Sequence, residues 1–404
     1  MPGATISLNA GMFALTAGTA LPDAPAAQRT HMNKLWFCWV LFLMPGLLAD
    51  CLRTDCHVAD ASCDPLAILL LEPYRTLVPR FVYVANTDSG GSILTYSIDR
   101  FTGILTQAAS LTIDSNPYHV SIAPDGRFLY APAFGANLLD VLSIDQATGA
   151  LALVGSVGTG TNPTGSAVHP SGNFVYAVNN TSPFWVFAYQ RNQSTGQLSY
   201  NGQTSVGNLA RYIEVHQNGL YAYVTETGVP SVSAFTINQS NGVLSANGSV
   251  ATGANVDGLA LDPGGKNLYT ANFVGGDVSM MSINEGNGTL GSLGTIGAGA
   301  QPYYVVVAPS GLFVYALNQG GATITIYSRS TGSGLLTATG DTAMTGGTPA
   351  EAQIDPTGKF MYVTNNAGTV SMYAVDTTTG ALAFLGTVPA GAAPNGLAIL
   401  SLYQ

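Results

Sequence analysis

Charge is scarce in this sequence: aspartate, glutamate, lysine and arginine together supply only 8% of its 404 residues. Three lysines, Lys34, Lys266 and Lys359, are scattered along it, and no stretch gathers basic residues into a stripe. With a net charge of −10 the chain offers little to neutralise phosphates, which excludes nucleic acid as a partner. Cysteine is nearly absent too. Cys38, Cys51, Cys56 and Cys63 all precede residue 64, so neither disulfides nor a cysteine-rich metal cluster holds the remainder together. Also missing are a phosphate-cradling glycine loop, a nucleophile elbow and a metal-binding HExxH helix. No pattern calls for a cofactor or a metal. Only one long apolar run occurs, Leu35–Ala49, and it is shorter than the ~20 residues that cross a bilayer comfortably.

That run still has a use. Lys34 precedes it and small residues follow, the pattern of an export signal rather than a permanent span; the alternative is an uncleaved anchor. Leu48-Ala49-Asp50-Cys51 resembles the bacterial lipobox, with Asp50 in place of the usual small residue. The expectation is an exported protein of the cell envelope (periplasmic, outer-membrane or surface), lipid-anchored at Cys51. In an oxidising compartment Cys56 and Cys63 would be free to close a small disulfide loop. Met32 opens a conventional signal of its own, and residues 1–31 carry no recognisable pattern. The chain thus divides into an upstream extension plus export segment (1–50), a cysteine-containing tether (51–78) and a main body (79–404), expected to be monomeric.

What the main body has in abundance is repetition. Arg80-Phe81-Val82-Tyr83 returns as Arg127-Phe128-Leu129-Tyr130 and Asn173-Phe174-Val175-Tyr176, and onward to Lys359-Phe360-Met361-Tyr362. The tyrosines fall at 83, 130, 176, 223, 269, 315 and 362, every 46 or 47 residues. A second ruler, the turn glycines at 103, 149, 196, 242, 288, 334 and 380, keeps the same step. Each period holds four short β-type runs separated by Asp, Asn and Gly, residues that tolerate left-handed backbone and bond their own main chain. Four-stranded antiparallel units repeated radially make a β-propeller, an all-β fold with seven blades here. The body opens on the Phe-Val-Tyr strand, lacking the strand that precedes it elsewhere. Asn395–Leu400 matches Asp257–Asp262, so the C-terminal strand should complete the first blade and close the ring.

Function is sought where the repeat breaks. In the first strand of each period two columns are apolar throughout or nearly so, and alternation makes them one packed face. The columns between them are irregular: His119, Gly165, Tyr212, Gly258, Tyr304, Glu351 and Gly396, then Ser121, Ala167, Glu214, Ala260, Val306, Gln353 and Ala398. First strands lie nearest a propeller's axis, so these columns should line the channel mouth, with the Pro corners and the loops after the second strands. His119 or Glu226 as base, with Arg211 for a carboxylate or oxyanion, would suit opening or closing a lactone ring. Tyr212, Glu214, Tyr304, Glu351 and Gln353 are candidate ligand contacts. Trp185, breaking the third blade's pattern, is a candidate sugar or partner contact or a blade-packing residue.

The repeated phrase and a literal Tyr362-Val363-Thr364-Asn365 resemble the YVTN-repeat and lactonase family of seven-bladed propellers, over roughly residues 79–400. That family includes 6-phosphogluconolactonase and carboxy-muconate cyclase, and the resemblance implies lactone hydrolysis or lactonisation at a His–Arg–Glu set. Pro117-Tyr118-His119 matches the family's first segment. The following blade does not match, Arg211 and Glu226 appear one blade later, and Tyr212 stands where a histidine belongs. Two readings therefore stand side by side. One is an exported, membrane-tethered propeller binding a ligand, polymer or protein on its loop face. The other is a lactone hydrolase or lactonising enzyme using His119, Arg211 and Glu226.

Overall fold

The structure, a computed structural model, describes residues 76–87, 90–113 and 116–403, and farther upstream the backbone of two short paired strands, Ser7–Asn9 and Met12–Ala14. The chain forms two units, Met1–Arg75 and Thr76–Gln404. The export segment, Cys51 and the other cysteines lie outside the described residues.

Thr76–Gln404 folds into seven four-stranded antiparallel sheets. The recurring aromatic phrase is the second strand of every blade, from Leu77–Asn86 in blade 1 to Phe360–Asn365 in blade 7. Blade 1 is completed by the last strand, Pro394–Tyr403, which pairs with Leu77–Asn86 (Val82 opposite Ile399, Val84 opposite Leu397). The two ends of the ring are thus joined by a hydrogen-bonded ladder, and the all-β, seven-bladed, C-terminally closed architecture is the one that the sequence periods imply.

The two sequence rulers turn out to be one device. Tyr83 donates its hydroxyl to the carbonyl of Gly149 in the next blade at 3.1 Å. Tyr130 does the same to Gly196, Tyr223 to Gly288, Tyr269 to Gly334, Tyr315 to Gly380 and, across the closure, Tyr362 to Gly103. Tyr176 alone breaks the series, its buried hydroxyl having no hydrogen bond. Glycine is required at the accepting turn for two reasons. At Gly149 φ is 74°, and a Cβ would stand 2.5 Å from the Phe81 ring of the previous blade. Between blades these aromatic rings and the aliphatic faces of adjacent sheets form the core, where burial supplies about 25 cal/mol per Å² of apolar surface.

Innermost strands touch their neighbours all the way round the axis. Near the corner where each begins most carry a register shift, between Ala210 and Ile213 in blade 4 and between Pro302 and Tyr304 in blade 6, for example. A bulge of this kind suspends the strict alternation of sides, so two successive residues turn toward the axis where a regular strand would offer one.

Candidate functional site at the propeller axis

Three layers of side chains line the channel, the lowest of them around a cavity. The first, at the mouth, comes from the position just after each corner. Arg211 of blade 4 extends across the axis. Its Nη1 donates to Asp257 Oδ2 of blade 5 at 2.9 Å, and its Nη2 to the Tyr303 hydroxyl of blade 6 at 2.9 Å and to the Tyr118 hydroxyl of blade 2. The two tyrosine hydroxyls bond each other at 2.8 Å. Their rings flank the guanidinium, with centroids 5.8 and 5.5 Å away, close enough for cation–π attraction. Loops after the second strands add Phe134 beside Tyr118 and Phe273 beside Tyr303. Burial disfavours the Arg211 charge, but Asp257 and the surrounding hydroxyls outweigh it and hold the pKa above the ordinary value. Burial pushes the Asp257 carboxyl up to about 7 against the pull of Arg211. Two buried atoms of this ion pair, Arg211 Nε and Asp257 Oδ1, have no hydrogen bond.

The second layer is His119, Tyr212, Tyr304 and Glu351, with Gly165, Gly258 and Gly396 at the other three places. The glycines are there because the axis is crowded: a Cβ on Gly258 would lie 2.3 Å from the Tyr304 ring, and one on Gly396 would lie 2.6 Å from His119 Cα. Tyr212 packs edge-on against both His119 and Tyr304. His119 Nδ1 faces Ser166, whose N–H (3.4 Å) and hydroxyl (3.3 Å) approach it, while Nε2 lies 3.7 Å from Glu351 Oε1. Burial drives the His119 pKa down to about 4, so the imidazole is neutral at physiological pH. Glu351 is 1% exposed, and neither of its oxygens makes a hydrogen bond of good geometry. Burial raises its pKa strongly, more than the nearby Leu397 N–H and Gln353 amide lower it.

Below this layer opens a cavity of about 270 Å³, lined among others by His119, Ser121, Ser166, Glu214, Tyr304 and Gln353. The hydroxyls of Ser121 and Ser166 bond at 2.9 Å. Glu214 is half-buried and lines this cavity, and desolvation pushes its carboxyl up to about 7.

The axis therefore gathers His119, Arg211, Tyr212, Glu214, Tyr304, Glu351 and Gln353, in three layers rather than one ring. Glu226 lies apart from them. Its Oε1 accepts the Gly207 N–H at 2.8 Å and its Oε2 accepts the Ser231 hydroxyl at 3.0 Å. Asn318 Oδ1 accepts the Gly299 N–H (3.1 Å) and Asn86 Oδ1 the Ala393 N–H (2.8 Å) in the corresponding corners. Glu226 lines a different cavity, on the face of its own blade beside Ser205 of blade 3. Trp185 begins the third strand of blade 3, half-buried opposite Ser205. Absent from the sequence reading are Tyr118, Asp257 and Tyr303. Their signal was available one register earlier, where Tyr118, Thr164, Arg211, Asp257, Tyr303, Ala350 and Asn395 form the least uniform column of all; the bulge that turns it inward was not.

Among solved structures, a putative 6-phosphogluconolactonase from Bacteroides uniformis superposes with a TM-score of 0.72 at 22% identity, covering 80% of this chain and 100% of that one. A putative 6-phosphogluconolactonase from Bacteroides fragilis gives 0.70 at 19%, covering 80% and 98%. The periplasmic gluconolactonase of Pseudomonas aeruginosa gives 0.71 at 21%, covering 80% and 99%. At these identities the likeness is one of fold. A search of curated proteins found no match. The model of the lactonase family, described as a seven-bladed β-propeller, matches residues 112–210, 188–302 and 297–398, and over that span the chain belongs to the seven-bladed β-propeller lactonase family.

Proposed function

We propose that this propeller recognises a small hydroxyl-rich molecule at the mouth of its channel, as an exported protein tethered to the membrane through Cys51. The observation that carries the ligand class is the ion pair at the mouth, whose Arg211 stays partly exposed while Arg211 Nε and Asp257 Oδ1 make no hydrogen bond. Buried polar atoms of this kind call for a partner, and a hydroxyl both accepts and donates. The faces of Tyr118, Phe134, Tyr303 and Phe273 suit the C–H side of a sugar-like ring. A doubly charged phosphate fits poorly, because the one guanidinium is already paired with Asp257. Calorimetric titration of glucono-1,5-lactone and gluconate tests this reading. Saturable binding is expected for the wild type, weakened roughly tenfold or more in Asp257→Asn and Arg211→Met; equal affinity in all three proteins would sink it. For the tether, palmitate labelling lost in Cys51→Ser supports the anchor, whereas a mature protein still carrying Met32 refutes processing.

Lactone hydrolysis is the second reading, favoured by a neutral His119 facing a cavity it shares with Glu214, whose pKa of about 7 suits acid–base work. The imidazole Nε2 lies 3.7 Å from Glu351 Oε1, the ring shares its cavity with Glu214, and Glu226 is bonded elsewhere. Lactone-hydrolysis rates equal to the buffer background in both wild type and His119→Ala would rule catalysis out.

A further inference from the structure

The lower cavity differs in sign from the mouth. Arg211 brings a cation to the mouth, but no lysine or arginine lines the cavity beneath, and its histidine is neutral. What faces it is acceptor-rich: the Glu214 carboxylate, the Ser121–Ser166 hydroxyl pair and the Gln353 amide, with the Glu351 carboxylate in the layer above. No hydrogen bond ties the Glu214 carboxylate to the described residues around it. Glu351, almost fully buried, keeps both oxygens without a hydrogen bond of good geometry. A carboxylate in a low-dielectric shaft with no counter-charge attracts cations and repels anions. The space, about 270 Å³, exceeds one water's share of roughly 30 Å³ several times over, so a small organic ion fits.

We propose that this cavity is a second ligand site, one that takes a small primary ammonium ion. An ammonium head carries three donors and no acceptor. Glu214 serves as its charge partner, and Ser121 Oγ and Gln353 Oε1 as the remaining acceptors. The short aliphatic stem would lie along the alanine side of the shaft at Ala167 and Ala398. A hydroxyl-rich molecule, the class suited to the mouth, carries no cationic head for Glu214 to pair with, so the two ends of one channel select different chemistry. Because burial keeps a proton on Glu214 up to about pH 7, binding of the ammonium below that pH should release it. Glu351, His119, Tyr212 and Tyr304 are the other titratable groups facing this proton.

The test is calorimetric titration of n-propylammonium chloride at about pH 8, where Glu214 is charged, with potassium chloride and xylitol as comparison probes. Expected are saturable binding of n-propylammonium, loss of roughly tenfold or more in Glu214→Gln, and proton uptake by the buffer when the titration is repeated near pH 6. A second variant, Gln353→Leu, keeps the volume, removes one acceptor and should weaken binding several-fold even if Glu214→Gln does not fold. The proposal is overturned by any of three results: no saturable binding, affinity unchanged in whichever variants fold, or equal binding of potassium ion or xylitol.

Discussion

Two arginine–aspartate pairs, built from the same residue types at nearly the same distance, one buried and one partly open to the channel mouth, serve this protein in opposite ways. Arg329 and Asp262 clamp blade 6 to blade 5 at 2.8 Å, and every polar atom between them is engaged. Arg329 Nε donates to the Tyr269 hydroxyl, Nη1 to the Gly311 carbonyl and Nη2 to Asp262 and Asn267. Asp262 Oδ1 accepts the Lys266 and Asn267 N–H groups, and Oδ2 the Gly264 N–H. Arg211 and Asp257 meet at 2.9 Å but leave Nε and Oδ1 unbonded. A closed pair of the first kind fixes a joint, and Arg191 with Asp125 and Tyr130 repeats it between blades 2 and 3. The open pair sits where seven strands converge and no turn backbone is at hand to finish it. Between these two pairs the difference is completeness: the closed one fixes a joint between blades, and the open one leaves a donor and an acceptor unbonded at the channel mouth.

Breaking the closed pair should have the largest effect. Arg329→Met leaves the buried Asp262 charge without its cation, and about 3–5 kcal/mol of stability should be lost, read from urea unfolding. A loss below about 1 kcal/mol would erase the distinction between the two pairs. Next in size is a pH effect confined to the channel. Glu214 titrates near 7 when folded, above the unfolded value of about 4.3. Its contribution to stability is therefore complete below that lower pKa and lost as pH rises through about 7. Wild type relative to Glu214→Gln should lose roughly 3 kcal/mol across this window. His119 runs the other way, gaining stability as pH climbs from about 4 to about 6.5, so only the difference between the two proteins isolates Glu214. Parallel profiles would refute the assignment.

Smaller effects sharpen the comparison within the repeat. Tyr315→Phe removes a hydroxyl bonded to Gly380 and should cost about 1 kcal/mol. Tyr176→Phe removes one that bonds nothing and should be neutral or slightly stabilising. Equal losses would mean that the hydroxyl bond is not what these tyrosines contribute. The smallest change is expected at the open pair itself. Arg211→Met combined with Asp257→Leu should alter unfolding by no more than about 1 kcal/mol, since replacing both partners of a buried pair leaves no charge stranded. A large loss there would make the mouth scaffold after all.

The fold was legible because its signals are local. Tyr83 and its successors mark the second strand, Gly149 and its successors mark a turn with positive φ, and Asn395–Leu400 repeats a first strand at the far end of the chain. The site was legible only in part. His119, Tyr212, Glu214 and Glu351 could be placed on the axis by period-two alternation. Tyr118, Asp257 and Tyr303 could not, because the bulge after each corner suspends that alternation. Glu226 looked like an acid among asparagines, and its neighbours show that it does the asparagines' work on the Gly207 and Ser231 groups.

By itself the sequence determined how many blades there are, where each turn lies and which strand closes the ring, since these follow from backbone preferences repeated every 46 or 47 residues. Only the tertiary structure decided which side chains meet. Arg211 touches Tyr118 from 93 residues away and Tyr303 from 92, across an axis to which no local period points. Convergence of the innermost strands, together with the glycines that let them crowd, sets one ion pair apart from its closed counterparts and leaves it incomplete.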